Sequence, residues 1–450
     1  MTTDGLFDDL PEGEAPRQAG SSAAEARVSR PARDQIGWEM VDLDQLVSQD
    51  HPVRLVVSFV AGLDLSALYS AIQARADGPG RNAIDPALLL GLWLFATVEG
   101  VGSARELARL CTQDLPYRWL CGGVGVNHHA LSDFRSSHVE LLDRLLTDSV
   151  TALVADGLVS LEQLAHDGVR VRASAGASSF RRGDRLSKIR AEMEDRVKTL
   201  RAELESAPDA SQKRKLDRAA RATADRLERC RKAQERLREL EAERAKLPKK
   251  DRVDPKTGED KPLRVSVTDP QARVMRMAAG EYRPAYNIQV SCDPDTLVAV
   301  AMSVHDTGVD AGQLRPALEQ IERRYQKRPS VILADCGFCS KDDISWSHLH
   351  GVTTIVPSNN EARRGDLAYA TTYKGHMPGI AEWRRRMVEP ATKVAYKARG
   401  MVECVFAQFR NRGLRLLRLR GRTKVKAEVL LHLLAHNMLC GARLRAAATT

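Results

Sequence analysis

The 64 residues from Asp184 to Leu247 are mostly Glu, Arg, Lys, Ala and Leu, and no other feature of the chain restricts its fold so much. Apolar positions step by threes and fours through Leu186, Ile189, Met193, Val197, Leu200 and Leu204, then resume at Leu216, Ala220, Thr223, Leu227, Cys230, Gln234 and Leu237. That spacing keeps one narrow stripe on one side of a helix, and Pro208 interrupts it midway. The pattern predicts an antiparallel helical hairpin turning near Pro208, or a dimeric coiled coil, with a weaker seam where Thr223 and Gln234 intrude. Strand-like sequence lies on both sides, so the hairpin is an insertion into a sheet.

Upstream, Gln163 to Arg172 contains L-A-H-D-G-V-R-V-R, a short strand with an acid in its middle. Downstream, Pro248 to Asp269 reads as a loop of Pro, Gly and charge, after which Tyr282–Cys292 and Thr296–His305 form a β-hairpin across Asp293-Pro294-Asp295. A helix from about Asp310 to Tyr325, an apolar strand Ser330–Asp335, a helix near Lys341–His350 and a strand Val352–Val356 follow. Three consecutive strands and then alternating helix and strand predict a mixed α/β sheet whose buried parallel strands lie in its second half.

From Trp38 to about Leu153 the period is helical. Asp85-Pro86 opens one helix and Gly100 closes it, and Ser103 with Glu106 has the spacing of a capping box. Short helices carrying Arg105, Arg109, Arg118, Arg135, His128 and His129 suit a helix-turn-helix-like DNA reader and equally an ordinary helical bundle. Gly122, Gly123 and Gly125 follow no strand and do not make a dinucleotide fingerprint. Residues 1–35, rich in Gly, Ala, Ser, Pro and charge, are expected to be a disordered arm.

The formal charge is +10, and the segment from Glu361 to Thr450 alone holds 19 Lys and Arg against 6 Asp and Glu. A cationic tail beside a slightly acidic remainder points to a polyanionic partner. Eight scattered cysteines read as reduced thiols, no signal peptide is evident, and the longest apolar run, Ala87–Val98, is too short to span a membrane. A cytoplasmic, nucleoid-associated protein without a membrane partner is expected.

Three carboxylates stand out. Asp335 ends V-I-L-A-D, where open α/β sheets bind ligands. Asp167 lies in the strand before the hairpin, with Gly168 beside it to admit a close approach. Tyr396, Arg399, Glu403 and Arg410 fall on one helical face, and Val402, Val405, Phe406 and Phe409 line the face adjoining it. Asp167, Asp335 and Glu403 are therefore the catalytic and metal-binding candidates. Such oxygen ligands suit two Mg2+ or Mn2+ ions rather than zinc, and a pair of these ions can drive in-line phosphoryl displacement. Tyr396, Arg399 and Arg410 are the candidate phosphate contacts. Cys336 and Cys339, with His348 and His350, lack zinc-finger spacing, and His166 alternates to the opposite sheet face as a core or supporting residue.

The segment Y-K-A-R-G-M-V-E-C-V-F-A-Q-F-R resembles the Tyr-x2-Arg-x3-Glu-x6-Lys signature of one branch of bacterial insertion-sequence DDE transposases. Tyr396, Arg399 and Glu403 match it, and Arg410 stands where the signature has Lys. H-D-G-V at Asp167, A-D-C-G-F at Asp335, T-D-P-Q-A-R-V-M from Thr268 and Y-N-I-Q from Tyr286 accompany it, and Asp85 to Phe134 resembles the family's helical N-terminal domain. The resemblance implies an α/β ribonuclease-H-like catalytic core (156–178 and 281–450) with a helical hairpin insertion (179–280), preceded by an all-α N-terminal DNA-binding domain (36–155). It further implies cleavage at terminal inverted repeats and strand transfer into target DNA. Concerted cutting of two ends calls for a homodimer on DNA. A catalytically silent DNA-binding descendant is the alternative, and a ribonuclease-H-like hydrolase without strand transfer is a third reading.

Overall fold

The computed structural model describes residues 40, 42–72, 82–246, 248, 252–253, 258–260, 262–370 and 377–449. The chain divides after Asp42, and every element described lies in the unit from Leu43 onward. The arm expected at 1–35 lies outside the described residues.

The first part is helical throughout: α1 (Leu43–Leu46), α2 (Pro52–Ala61), α3 (Ser66–Ala71), α4 (Pro86–Val98), α5 (Ala104–Gln113), α6 (Leu115–Cys121), α7 (His128–Ser137) and α8 (Val139–Ala155). Helix α4 starts as its sequence dictates: Asp85 accepts the Ala87 amide at 2.8 Å, and Pro86 occupies a position where no N–H is needed. The run from Leu89 to Thr97 is buried on every side, so α4 is the axle of this part rather than an amphipathic surface helix. Ser103 accepts the Glu106 amide at 3.4 Å, but the Glu106 carboxylate pairs with Arg109 instead of closing the capping box.

Strand β1 (Gln163–Arg172) leads through a two-residue strand β2 (Phe180–Arg181) into α9 (Gly183–Glu205) and α10 (Ala210–Ala245). These two are antiparallel, with Arg190 to Gln234 at 3.1 Å and Arg231 to Glu194 at 3.4 Å crossing between them. Leu186, Ile189, Cys230, Ala233, Leu237 and Leu240 form their common core, joined by Val265. Ala233 takes the buried position, while Gln234 turns aside to Arg190 and Ser187.

The return path adds β3 (Val265–Ser266), paired with β2, and β4 (Arg273–Arg276), neither of which was expected. Two residues are too few to show alternation, and β4 is a four-residue edge strand with Val274 and Arg276 exposed and Met275 buried. Then come β5 (Tyr282–Cys292), β6 (Ala299–His305), α11 (Leu314–Tyr325), β7 (Val331–Ala334), α12 (Lys341–Leu349), β8 (Thr353–Ile355), α13 (Glu361–Arg364), α14 (Ile380–Val388), α15 (Pro390–Tyr396), α16 (Met401–Asn411) and α17 (Arg422–Ala448). The helix expected from Asp310 begins only at Leu314, after Gly312 at φ +85°.

The sheet order is β4-β5-β1-β7-β8, with β6 also on β5. β1 pairs antiparallel with β5 and parallel with β7, and β7 pairs parallel with β8. Helix α17 is buried from Ala427 to Met438 and packs on α4, α8 and β6, so one apolar core runs from Val47 through the sheet to Cys440.

Candidate active site

Pairing register places the first two carboxylates. β1 and β7 run parallel with His166 opposite Ala334, so Asp167 stands level with Asp335, which caps the end of β7. Asp167 is buried and Asp335 half-exposed. The Asp335 carboxylate accepts the Gly337 amide at 2.7 Å, and a Cβ at Gly337 would stand 2.9 Å from that same oxygen, so a larger residue there would push the carboxylate aside.

Arg399 lies in the 3-10 turn Lys397–Gly400 between α15 and α16, so the single helical face expected from Tyr396 to Arg410 is interrupted at that turn. Its guanidinium meets all three carboxylates: Asp167 Oδ2 at 2.8 Å, Asp335 Oδ2 at 3.6 Å and, four residues along, Glu403 Oε1. Arg399 Nε is buried without a partner. Glu403 is exposed on the first turn of α16, while Val402, Val405, Phe406 and Phe409 are buried beneath it. The three candidate ligands thus converge on one cation. As the chain stands, no group of three or more His, Cys, Asp or Glu side chains among the described residues is arranged to hold a metal ion.

Burial pushes the Asp167 carboxyl up to about 6, against the pull of Arg399 and the Gly168 amide. Burial likewise pushes Tyr396 up to about 12; its ring packs beside Asp335 and Cys336. Arg410 is exposed at the far end of α16, two turns beyond Glu403. His166 is buried on the other face of β1, 2.8 Å from Ser291 and 3.3 Å from Gln289, and burial holds it down at about 4.

One residue escaped the sequence reading. Asp310, in the β6–α11 loop, accepts from Asn287 Nδ2 at 2.6 Å and Gln289 Nε2 at 3.3 Å, with Arg170 at 3.7 Å. A Cβ at Gly168 would stand 2.8 Å from Asn287 Oδ1 and 3.2 Å from Asp310 Oδ1, and one at Gly337 3.7 Å from Asp310 Oδ2. Asp310 therefore packs against the backbone that carries Asp167 and Asp335. The alternating amides of Y-N-I-Q in a buried strand were the available signal. Conversely, Arg135 is no surface cation: it lies over the Trp93 ring at 4.2 Å and donates to the Gly102 carbonyl at 2.7 Å. Arg105, Arg118 and His129 are exposed.

Asp167 within β1, Asp335 just past the end of the parallel strand β7 and Glu403 on α16 thus form one carboxylate cluster around Arg399. Residues 255–438 match the family model described as Transposase DDE domain, and residues 41–137 match Transposase domain (DUF772). The chain is a DDE transposase with the domain pair typical of bacterial insertion-sequence transposases. The DDE match contains Asp335 and Glu403; Asp167 lies before it. The match implies a ribonuclease-H-like fold, with which the mixed sheet agrees. Curated proteins and solved structures give no match. No helix among the described residues is long and apolar enough to cross a membrane.

Proposed function

We propose that this transposase binds the terminal inverted repeats of its element, cleaves DNA at the ends and transfers strands into target DNA, using Asp167, Asp335 and Glu403 to hold two Mg2+ or Mn2+ ions. The observation that carries this reading is the convergence of three carboxylates, from two strands and a helix, on the single guanidinium of Arg399. Such a gathering is stable only around positive charge, and its oxygen donors have the hardness that Mg2+ and Mn2+ prefer. When bound, a pair of these ions supplies activation of a water or 3'-hydroxyl and charge relief at the leaving oxygen.

The chain's own residues divide the remaining work. β1 and β7 fix Asp167 and Asp335 rigidly, and Asp310 with Asn287 and Gln289 braces the backbone between them. Arg399 neutralises the three carboxylates, and its planar fork would be suited to hold a phosphate bidentately, with Tyr396 and Arg410 as further phosphate contacts. The exposed Arg105 and Arg109 of α5 and Arg118 of α6 support 36–155 as the end-reading domain. Residues 156–178 and 281–450 form the catalytic domain and 179–280 its helical insertion, and two copies assemble on paired ends. The protein then works in the cytoplasm, on the nucleoid.

The test is cleavage of DNA carrying the element ends by wild type, Asp335→Asn and Glu403→Gln at matched DNA occupancy. Nicking at the ends with Mg2+ or Mn2+, at least about a thousandfold slower in both variants, is expected for lost transition-state stabilisation of roughly 4 kcal/mol. Wild type that binds but cuts with neither metal would mean a protein acting by occupancy. A monomeric end-bound complex on sizing would remove the dimer.

A further inference from the structure

We infer that the free end of the α9–α10 hairpin is a second, sequence-independent DNA-phosphate contact, remote from the carboxylates; this rests on the reading of the chain as a DNA-binding transposase. The hairpin's charge is unevenly distributed. α9 holds six cations and six acids, and the last 24 residues of α10, from Ala222, hold seven and six. The first 12 residues of α10, from Ala210 to Arg221, hold five cations and one acid, Asp217, which pairs with Arg221 at 2.9 Å. That leaves Lys213, Arg214, Lys215 and Arg218, all exposed and without an ion pair among the described residues. Of the neighbouring acids, Asp209 caps the Gln212 amide at 2.8 Å and Glu203 pairs with Arg196 at 3.6 Å, while Glu205 is exposed, so four cations at this end face two acids that no cation pairs with.

Lys213 ends the first turn of α10, where the macrodipole opposes positive charge, with Arg214 and Lys215 directly after it and no acid in that turn. Self-stability would place acids there, so the arrangement costs the hairpin something and suits an external anion, which both dipole and side chains attract. The element also has reach. The hairpin is tied to the sheet by Arg236 to Asp306 at 2.5 Å. Arg214 lies 22 residues up α10 from that tie, about 33 Å at 1.5 Å per residue. That span matches about ten base pairs at 3.4 Å each. A polyanion long enough to touch both places, with a charge every few ångströms, is duplex DNA.

The experiment uses the full chain and the variant Lys213→Glu/Arg214→Glu/Lys215→Glu/Arg218→Glu. Added acids at a helix N-terminus favour the helix, so circular dichroism should show an intact hairpin. Affinity for random-sequence duplexes of about 6 base pairs, closed by a hairpin loop, and about 40 base pairs is measured against salt concentration, the shorter being about 20 Å long at 3.4 Å per pair and unable to span that distance. For wild type on the longer duplex the log–log salt slope should exceed that of the variant by about 3 to 4, one unit per lost phosphate contact, with no such gap on the shorter one. Equal slopes on the longer duplex overturn the inference while leaving the transposase reading intact. A wild type that binds neither duplex overturns the DNA-binding reading on which it rests.

Discussion

Asp167 pays for its position. An ordinary aspartate titrates near 3.8, whereas burial holds this one at about 6 in the folded chain. Between those values the folded protein keeps a proton that the unfolded chain has released, so this group's contribution to stability falls as pH rises from about 4 to about 6. Asp167→Asn removes that slope. Urea unfolding of the metal-free protein should therefore show the variant gaining on wild type by up to about 1.4 kcal/mol per pH unit across the window, with the gap constant above it. A gap that does not change with pH would mean Arg399 already holds Asp167 ionised throughout. The three carboxylates were legible because a strand end, a mid-strand acid and a helical phase each leave a periodic trace. Asp310 left none in its own segment, where D-T-G-V-D-A-G-Q has neither period; only its partners Asn287 and Gln289 in Y-N-I-Q did, and its place at the site depends on how the chain returns from β6. Arg135 misled for the complementary reason, since a cation in sequence does not disclose the Trp93 face waiting to receive it.

Among the elements, the hairpin was readable to within a few residues because a seam of threes and fours over so long a charged stretch permits little else. Helix α17 was not, because a helix buried on all sides has no amphipathic phase to read. Its polar residues instead satisfy backbone elsewhere: Glu428 accepts from Arg418 and Leu419 at 3.0 and 2.9 Å, and Asn437 bridges both polar groups of Ala299 at 2.9 and 2.7 Å. His432 has no such duty. It is buried with Nδ1 unpartnered, and burial holds its pKa down at about 3. The sign is opposite to that of Asp167: a depressed imidazole contributes stability that is present above about 6.5 and is lost as pH falls towards 3, because the unfolded chain takes up the proton first. His432→Leu should abolish this dependence. Wild type should lose stability relative to the variant by up to about 1.4 kcal/mol per pH unit below pH 6.5, measured by denaturant unfolding. Parallel curves for the two proteins would show that His432 does not stay neutral in the fold.

At the scale of the molecule, the apolar contacts disagree with the division suggested by sequence. The helices before residue 155 and the sheet after it share one continuous core, with α17 lying between α4, α8 and β6. The hairpin has a separate core of its own, which Val265 of the two-stranded β2–β3 ribbon joins, and it is tied to the main sheet by the Arg236–Asp306 pair. Cooperativity follows buried apolar continuity, since elements that unfold together are those whose exposure cannot be separated. Leu430, fully buried on α17, should therefore act on both sides at once: Leu430→Ala should lower the hydrogen-exchange protection of α4 and β6 amides together, by about 2 to 5 kcal/mol. Leu237→Ala should lower protection only within α9 and α10. If α4 and β6 instead respond to Leu430→Ala by clearly different amounts, the helical part and the catalytic sheet are separate folding units despite their shared core. Unfolding of the hairpin alone, at a lower free energy than the rest, would let its basic end give way while the carboxylate site stays assembled.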